Sequence, residues 1–252
     1  MMDVTSVVLL LTAGLAAGAI NSLAGGGSLV TYPALVTVGL PPVTANVTNS
    51  IAVFPGYVSS VVGSRRDLPG QGRIALTMTV PAVIGAIGGT ILLLSTPAAA
   101  FEAIVPFLVI GAALLLAFQQ RLRALVGHPQ SRSPRRQWWS VHIMTGIGAL
   151  YGGYFGAALG VMLVAGLALV RDDRLARISA LKNVASATVG AVTVLVYGIF
   201  APVNWLGVAV LAPATVVGGY LGARLARWLP QNVLRGFIVV YGLAAGVYLL
   251  LK

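Results

Sequence analysis

Between Asp3 and Arg65 the chain runs 61 residues without one Asp, Glu, Lys or Arg, and further uncharged runs cover 74–101, 103–120, 137–170, 183–223 and 236–251. A membrane-crossing helix needs about 20 mostly apolar residues, so several of these runs are long enough for one pass or more. Gly, Pro and charge divide them into segments. The first extends from Val4 to Ser22 and stops at Ala24-Gly25-Gly26-Gly27. A short piece, Leu29 to Leu40, ends at Pro41-Pro42, and Val43 to Gly63 closes on Arg65-Arg66-Asp67. Ile74 to Leu94 and Phe101 to Phe118 follow, then a basic stretch from Arg121 to Arg136. The second half starts with Trp138 to Gly153 and breaks at Tyr154–Ala158. Leu159 to Val170, Leu175 to Phe200, Val203 to Ala223 and Val233 to Leu251 complete it.

The order repeats: long segment, glycine break, short segment, three full segments. At an offset of 133, Asn49-Ser50 aligns with Lys182-Asn183, Gly85 with Gly218 and Gly89 with Gly222; at 131, Gly25 aligns with Gly156. The pattern predicts an all-α integral membrane protein of two repeats. Each is a broken or re-entrant helical hairpin followed by three transmembrane helices, with eight full spans nominally and up to ten segments. The parts are a first repeat over 1–120, a basic loop over 121–137 and a second repeat over 138–252.

Composition sharpens this. The chain is 58% hydrophobic and 8% charged over 252 residues, where soluble domains carry about 25% charged residues. The net charge of +11 does not call for nucleic acid, because the basic residues sit in connectors, where arginine marks the cytoplasmic side. If each long-plus-short unit crossed once, nine basic residues would face one side and six the other. If each unit is a hairpin returning to its starting side, all fourteen arginines share a side and only Lys252 opposes them. The positive-inside rule prefers the hairpins. Leu29–Leu40 is only about 18 Å long as helix, which also favours partial re-entry. The halves are then expected to be inverted relative to each other, with both termini extracytoplasmic and the 121–137 loop cytoplasmic. The first segment, with no basic residue before it, is expected to be a membrane segment rather than a cleaved signal.

The chemistry-bearing residues are few. Non-helical backbone at membrane depth is tolerated beside protein or a water-filled cavity. The break Gly25-Gly26-Gly27-Ser28 would leave backbone amides at the N-terminus of a half-helix, where anions are favoured. Asn21 and Ser22 add side-chain donors, and a hairpin turn or close packing is the competing reading. Lys182 lies seven residues past Leu175, roughly 10 Å into its helix. A charge there costs about 2.5–3.5 kcal/mol even on lenient scales, and snorkelling to the interface is the alternative. Asn183 adjoins it, and Asn49 and Ser50 are the symmetry-related positions. Gly156 marks the second break. There is no cysteine, and the acids outside connectors are Asp3 and Glu102. No enzyme constellation, metal ligand set or cofactor motif is expected. Glycine-freed amides, one lysine and no acids suit a small anion.

The stretches Gly18–Leu35 (GAINSLAGGGSLVTYPAL), Gly39-Leu-Pro-Pro and the Ala45–Ser50 polar cluster resemble the TauE/SafE sulfite exporter family. The second half agrees in Tyr151–Gly160, Leu181-Lys-Asn, Val203-Asn-Trp and Gly218–Arg224. The resemblance implies a permease moving sulfite, sulfonates or other sulfur-containing organic anions across the bacterial inner membrane. It also implies eight spans as commonly drawn, whereas the arginines favour two additional half-helices. The second break, Gly156-Ala157-Ala158, replaces a fuller glycine run. The expected partners are the anionic substrate and the lipid bilayer, with self-association into a homo-oligomer left open. The alternatives are a drug/metabolite-type exporter of organic solutes and a non-transporting scaffold with a dry, packed centre.

Overall fold

The computed structural model describes residues 3–23, 25–126, 133–157, 159–171, 173–225 and 231–251. Among them it is helical throughout, without strands. The helices are α1 (Val4–Leu23), α2 (Ser28–Thr37), α3 (Pro42–Gly63), α4 (Gly72–Ser95) and α5 (Ala98–Val126) in the first half. In the second they are α6 (Pro134–Tyr154), α7 (Leu159–Val170), α8 (Leu175–Phe200), α9 (Trp205–Leu225) and α10 (Gln231–Leu251).

The boundaries follow local chemistry. Pro42 and Pro134 occupy first turns, where a missing N–H is harmless, and the Ser133 hydroxyl caps α6 by accepting from the Arg136 amide. α2 stops at Thr37, three residues before the expected Leu40. Gly39 adopts φ +91°, its N–H donates to Val36 O, and Leu40 N–H donates to Leu35 O. That pair of bonds around a left-handed glycine closes a helix, and the following proline prevents its resumption. α5 runs past the expected Phe118 to Val126, through Gln119–Arg123, whose straight side chains favour helix.

Windows within α1, α4, α5 and α8 are long and apolar enough to cross a membrane. α4 shows how they sit. Leu76, Val80, Ile84, Ile87 and Ile91 form an exposed apolar stripe, while Met78, Ala82, Ala86 and Leu93 are buried. A helix apolar on both its inner and outer faces belongs in lipid. α2 and α7 differ: every residue of Ser28–Val36 is buried, and so is most of Leu159–Val170. Neighbouring helices wrap the two short helices, which at about 15 and 18 Å cannot span.

Lipid tails are as apolar as the helices, so helices are held together by close packing of small residues. α1 packs on α9 and α4 on α6. A Cβ at Gly218 would fall 2.1 Å from Leu15 O, and one at Gly18 2.1 Å from Thr215 O. On the other pair, a Cβ at Gly89 would fall 2.1 Å from Leu150 O and one at Gly85 2.4 Å from Gly146 O. On the first pair Gly14 also meets Leu211 and Gly18 meets Gly219, and on the second the contacts climb from Gly85–Gly146 to Gly89–Leu150, so the helices of both pairs run parallel. α3 and α8 run antiparallel: Thr48, early in α3, accepts from the Asn204 amide beyond the end of α8, while Ser60 and Ser64 accept from Asn183 near its start. α5 and α10 are also antiparallel, with Gly242 against Ala113 and Gly246 against Ile110.

These contacts place the corners. Arg177 donates to Pro69 O at 3.0 Å, and Gln71 donates to Arg177 O at 3.2 Å. The α3–α4 corner and the α7–α8 corner therefore share one face, as returning hairpins require. Ion pairs from Asp173 to Arg171 (3.2 Å) and Arg177 (3.0 Å) knit that face. Burial raises the Asp173 carboxyl, but hydrogen bonds from Arg177, the Arg174 amide and Arg171 outweigh it and hold it below its ordinary range.

Overpacking a tight contact costs roughly 1–3 kcal/mol. Gly89→Ala and Gly218→Ala should each lower stability by about that much in thermal unfolding of the detergent-solubilised protein. Gly111→Ala, which meets open space, should leave it unchanged or slightly raised.

Candidate functional site

The first break is built by its glycines. Gly25 and Gly26 take φ +76° and +96°, a region open to residues without Cβ. Gly25 N–H donates to Ile20 O at 3.1 Å, and Gly27 N–H donates to Asn21 Oδ1 at 2.8 Å. Two of the amides expected for a ligand are thus used within the hairpin. Gly27 also lies against Ala17, a Cβ there falling 2.3 Å from Ala17 O, so α2 doubles back along α1.

The second break has no positive-φ glycine among its described residues and is held differently. A helix ends with carbonyls that lack partners. Here Tyr197 OH donates to Gly153 O, Asn46 Nδ2 to Tyr154 O (2.9 Å) and Tyr151 OH to Ala157 O (2.8 Å). Side chains from α8, α3 and α6 itself do for this break what glycine geometry does for the first.

The two breaks touch. A Cβ at Gly25 would fall 2.9 Å from Gly160 Cα. One at Gly160 would fall 3.0 Å from Gly25 Cα, 3.4 Å from Lys182 Cδ and 3.7 Å from Lys182 Nζ. Lys182, a residue 5% exposed, therefore carries its amine to the point where the N-terminal ends of α2 and α7 converge. It does not snorkel to the arginine-bearing face. Both ion pairs among the described residues belong to Asp173, so no described carboxylate neutralises Lys182. Two positive helix ends and an ammonium group oppose one another, each dipole contributing about 0.3–1 kcal/mol. An anion arriving there would relieve all three.

Beside this junction lies a small cavity of about 10 Å³ lined by Ser28, Asn49, Ser50, Tyr57, Gly156 and Thr193, with Val53, Gly152, Leu159, Val189 and Gly190 completing the wall. That is space for about one water. Asn49 Oδ1 accepts from the Thr31 hydroxyl, and Ser50 Oγ donates to Asn46 O. Asn21 Nδ2 is buried without a hydrogen-bond partner, as is Ser186 Oγ, one turn beyond Lys182, while the Ser28 hydroxyl faces that of Tyr57.

The expected residues thus divide. Ser28, Asn49, Ser50 and Gly156 line the cavity, Gly25 meets Gly160, which abuts Lys182, and Asn21 and Gly27 brace the first break. Gly26 contributes its left-handed turn. Asn183 does not join them: it donates to Ser60 O (3.2 Å) and Ser64 Oγ (3.0 Å) near the arginine-bearing face. Its one-residue step from Lys182 is about 100° of helix rotation. The Ser22 side chain lies outside the described residues. Tyr57 and Thr193 line the cavity unanticipated. Tyr57 is two turns beyond Ser50, and Thr193 three turns beyond Lys182, so the helical period pointed to both.

Around the second break, Tyr32, Phe101, Tyr154 and Phe155 form an edge-on aromatic cluster, with centroids 5.2 Å apart for Tyr32–Phe155 and 5.8 Å for Phe101–Tyr154. Tyr32 also lines a cleft of about 500 Å³ with Gly39, Pro41, Pro42 and Glu102.

An all-helical chain with several membrane-length apolar helices and two broken hairpins meeting at its centre is a multi-pass membrane protein of the transporter class. The chain belongs to the family described as Sulfite exporter TauE/SafE, whose model matches residues 10–249. It is 28% identical over 234 residues to the "Probable membrane transporter protein YfcA" of Escherichia coli K12, covering 89% of this chain and 82% of that protein. It is 23% identical over 235 residues to a "Probable membrane transporter protein" of Haemophilus influenzae, covering 93% and 90%. The "Probable membrane transporter protein ORF9" of a Sinorhizobium species is 26% identical over 243 residues, covering 96% and 91%. No solved structure matches the chain.

A buried carbonyl stripped of its donor costs about 1–3 kcal/mol. Tyr151→Phe and Tyr197→Phe should each lower thermal stability by that amount, with the far-UV helical signal at low temperature unchanged.

Proposed function

We propose that the protein carries a small anion, of the sulfite, sulfonate or sulfur-containing organic class, across the inner membrane between two inverted repeats. The observation that carries this reading is Lys182, buried without a described carboxylate partner where two half-helix N-termini meet. Ser28, Asn49, Ser50 and Asn21 would supply hydrogen bonds around the anion, and Asn21 has capacity to spare. Family membership favours a sulfur oxyanion as cargo.

The pairing of helices supports inverted repeats. Exchanging α1 with α6, α2 with α7, α3 with α8, α4 with α9 and α5 with α10 maps the α1–α9 contact onto α6–α4, and α2–α10 onto α7–α5. The backbone contacts obey the same offsets as the sequence: Gly85 against Gly146 corresponds to Gly218 against Leu15. Counterparts α3 and α8 run antiparallel, as do α5 and α10, the relation that inversion demands. The small central cavity is then a closed state. A free anion of several atoms needs more room than one water, so the repeats must part to admit it. The aromatic cluster around Phe155 would seal the outer side and the ion-paired arginine corners the inner one.

Hydrogen bonds to a charged group are worth about 1.5–3 kcal/mol, or roughly ten- to a hundredfold in rate. Lys182→Met, which keeps the stem and removes the charge, should reduce sulfite efflux from proteoliposomes by that factor at unchanged protein content. Unaltered flux would remove Lys182 from the mechanism.

Orientation has its own test, made simple by the absence of cysteine. The arginine-bearing corners are assigned to the cytoplasm and the end of α4 to the outside. In right-side-out vesicles an impermeant maleimide should label Ser95→Cys and reach Gly72→Cys only after permeabilisation. The reverse pattern would invert the topology.

A further inference from the structure

A second basic feature lies away from the breaks. On the arginine-bearing face a cleft of about 400 Å³ opens between the start of α4, the start of α6 and the end of α7, lined by Gly70, Arg73, Ile74, Thr77, Trp138 and Arg171. Two arginines share it. Arg171 spends one nitrogen on Asp173, 3.2 Å away, but its Nε is buried without a hydrogen-bond partner. Asp173 also serves Arg177 at 3.0 Å, so among the described residues one carboxylate is divided between two arginines and Arg73 has no ion-pair partner. α4 begins at Gly72, and its free N-terminal amides add to the positive potential. The third wall is aromatic. Trp138 stacks on His142 with ring centroids 3.8 Å apart and meets Trp139 edge-on at 4.9 Å, which fixes the indole at the rim.

We infer that this cleft binds the phosphate headgroup of an anionic membrane phospholipid. A guanidinium pair suits a phosphate, whose oxygens accept in the planar fork geometry. The shape separates a lipid from a free phosphate. Ile74 and Thr77 carry the cleft one turn into α4, where Leu76, Val80 and Ile84 begin the exposed apolar stripe. A molecule with its phosphate on Arg73 and Arg171 thus has a continuous apolar track for its acyl chains. Tryptophans occupy the headgroup level of bilayers, and basic pockets between membrane helices on the cytoplasmic side suit lipid headgroups.

The test is native mass spectrometry of the protein released from bicelles holding equal phosphatidylglycerol and phosphatidylcholine. The wild-type protein should retain phosphatidylglycerol, and Arg73→Gln should retain at least fivefold less, with Arg73→Lys intermediate. Thr77→Leu, which fills the cleft without changing charge, should lose it too, so that one poorly folded variant does not decide the matter. Retention at the wild-type level by both Arg73→Gln and Thr77→Leu would overturn the proposal. So would indifference between the two lipids, or displacement of the bound lipid by millimolar inorganic phosphate.

Discussion

A polypeptide that stops being helical inside a bilayer must find partners for every backbone group it exposes, and the architecture here is organised around two places where that happens. At the first, glycine supplies turns that let the chain satisfy itself, with Asn21 completing the circuit. At the second, Tyr151, Tyr197 and Asn46 donate to carbonyls that the end of α6 leaves open. The remaining helices form a wall around these points. α2 and α7 are buried because they are too short to face lipid and end in broken backbone.

Bringing the breaks into contact creates the electrostatic problem that gives the molecule its chemistry. Half-helix N-termini pointing at each other repel, and Lys182 adds a full charge. In water such a cluster would be trivial, but at low dielectric it is a standing demand for negative charge. The packing leaves room for about one water, so that demand goes unmet unless the two halves separate. On the proposed function, binding and movement would be coupled in the same few residues.

Much of this was legible in the chain. Gly25-Gly26-Gly27 announced the first break because the first two take left-handed backbone and the third packs too closely on Ala17 for a side chain, and Lys182 stood out as a charge inside an apolar run. The arginines of the 65–73 and 171–177 corners predicted that these corners share a face, and Arg177 meets Pro69 and Gln71 there. What stayed hidden depended on partners distant in sequence. Tyr151 and Tyr197 read as ordinary membrane tyrosines until the carbonyls opposite them are seen. Asn183 looked like a neighbour of Lys182 in function, yet the helix turns it toward Ser64 instead. The second break, with Gly156 alone, was visible as a position but not as a mechanism, since its support comes from helices on either side.

The cross-pairing of α1 with α9 also constrains how the protein is made. Gly14 and Gly18 are on the face of α1 that meets Leu211, Thr215 and Gly219, close to 200 residues further along the chain. At ribosomal speeds of about 5–20 residues per second, that partner arrives roughly 10–40 s after α1 emerges. For that interval the smallest-sided helix of the protein stands in the membrane with its groove open to lipid. The absence of charge from α1 through the start of the 65–67 corner is what lets it wait. The last-built helices then close onto the first, so assembly finishes only when nearly the whole chain is in the bilayer.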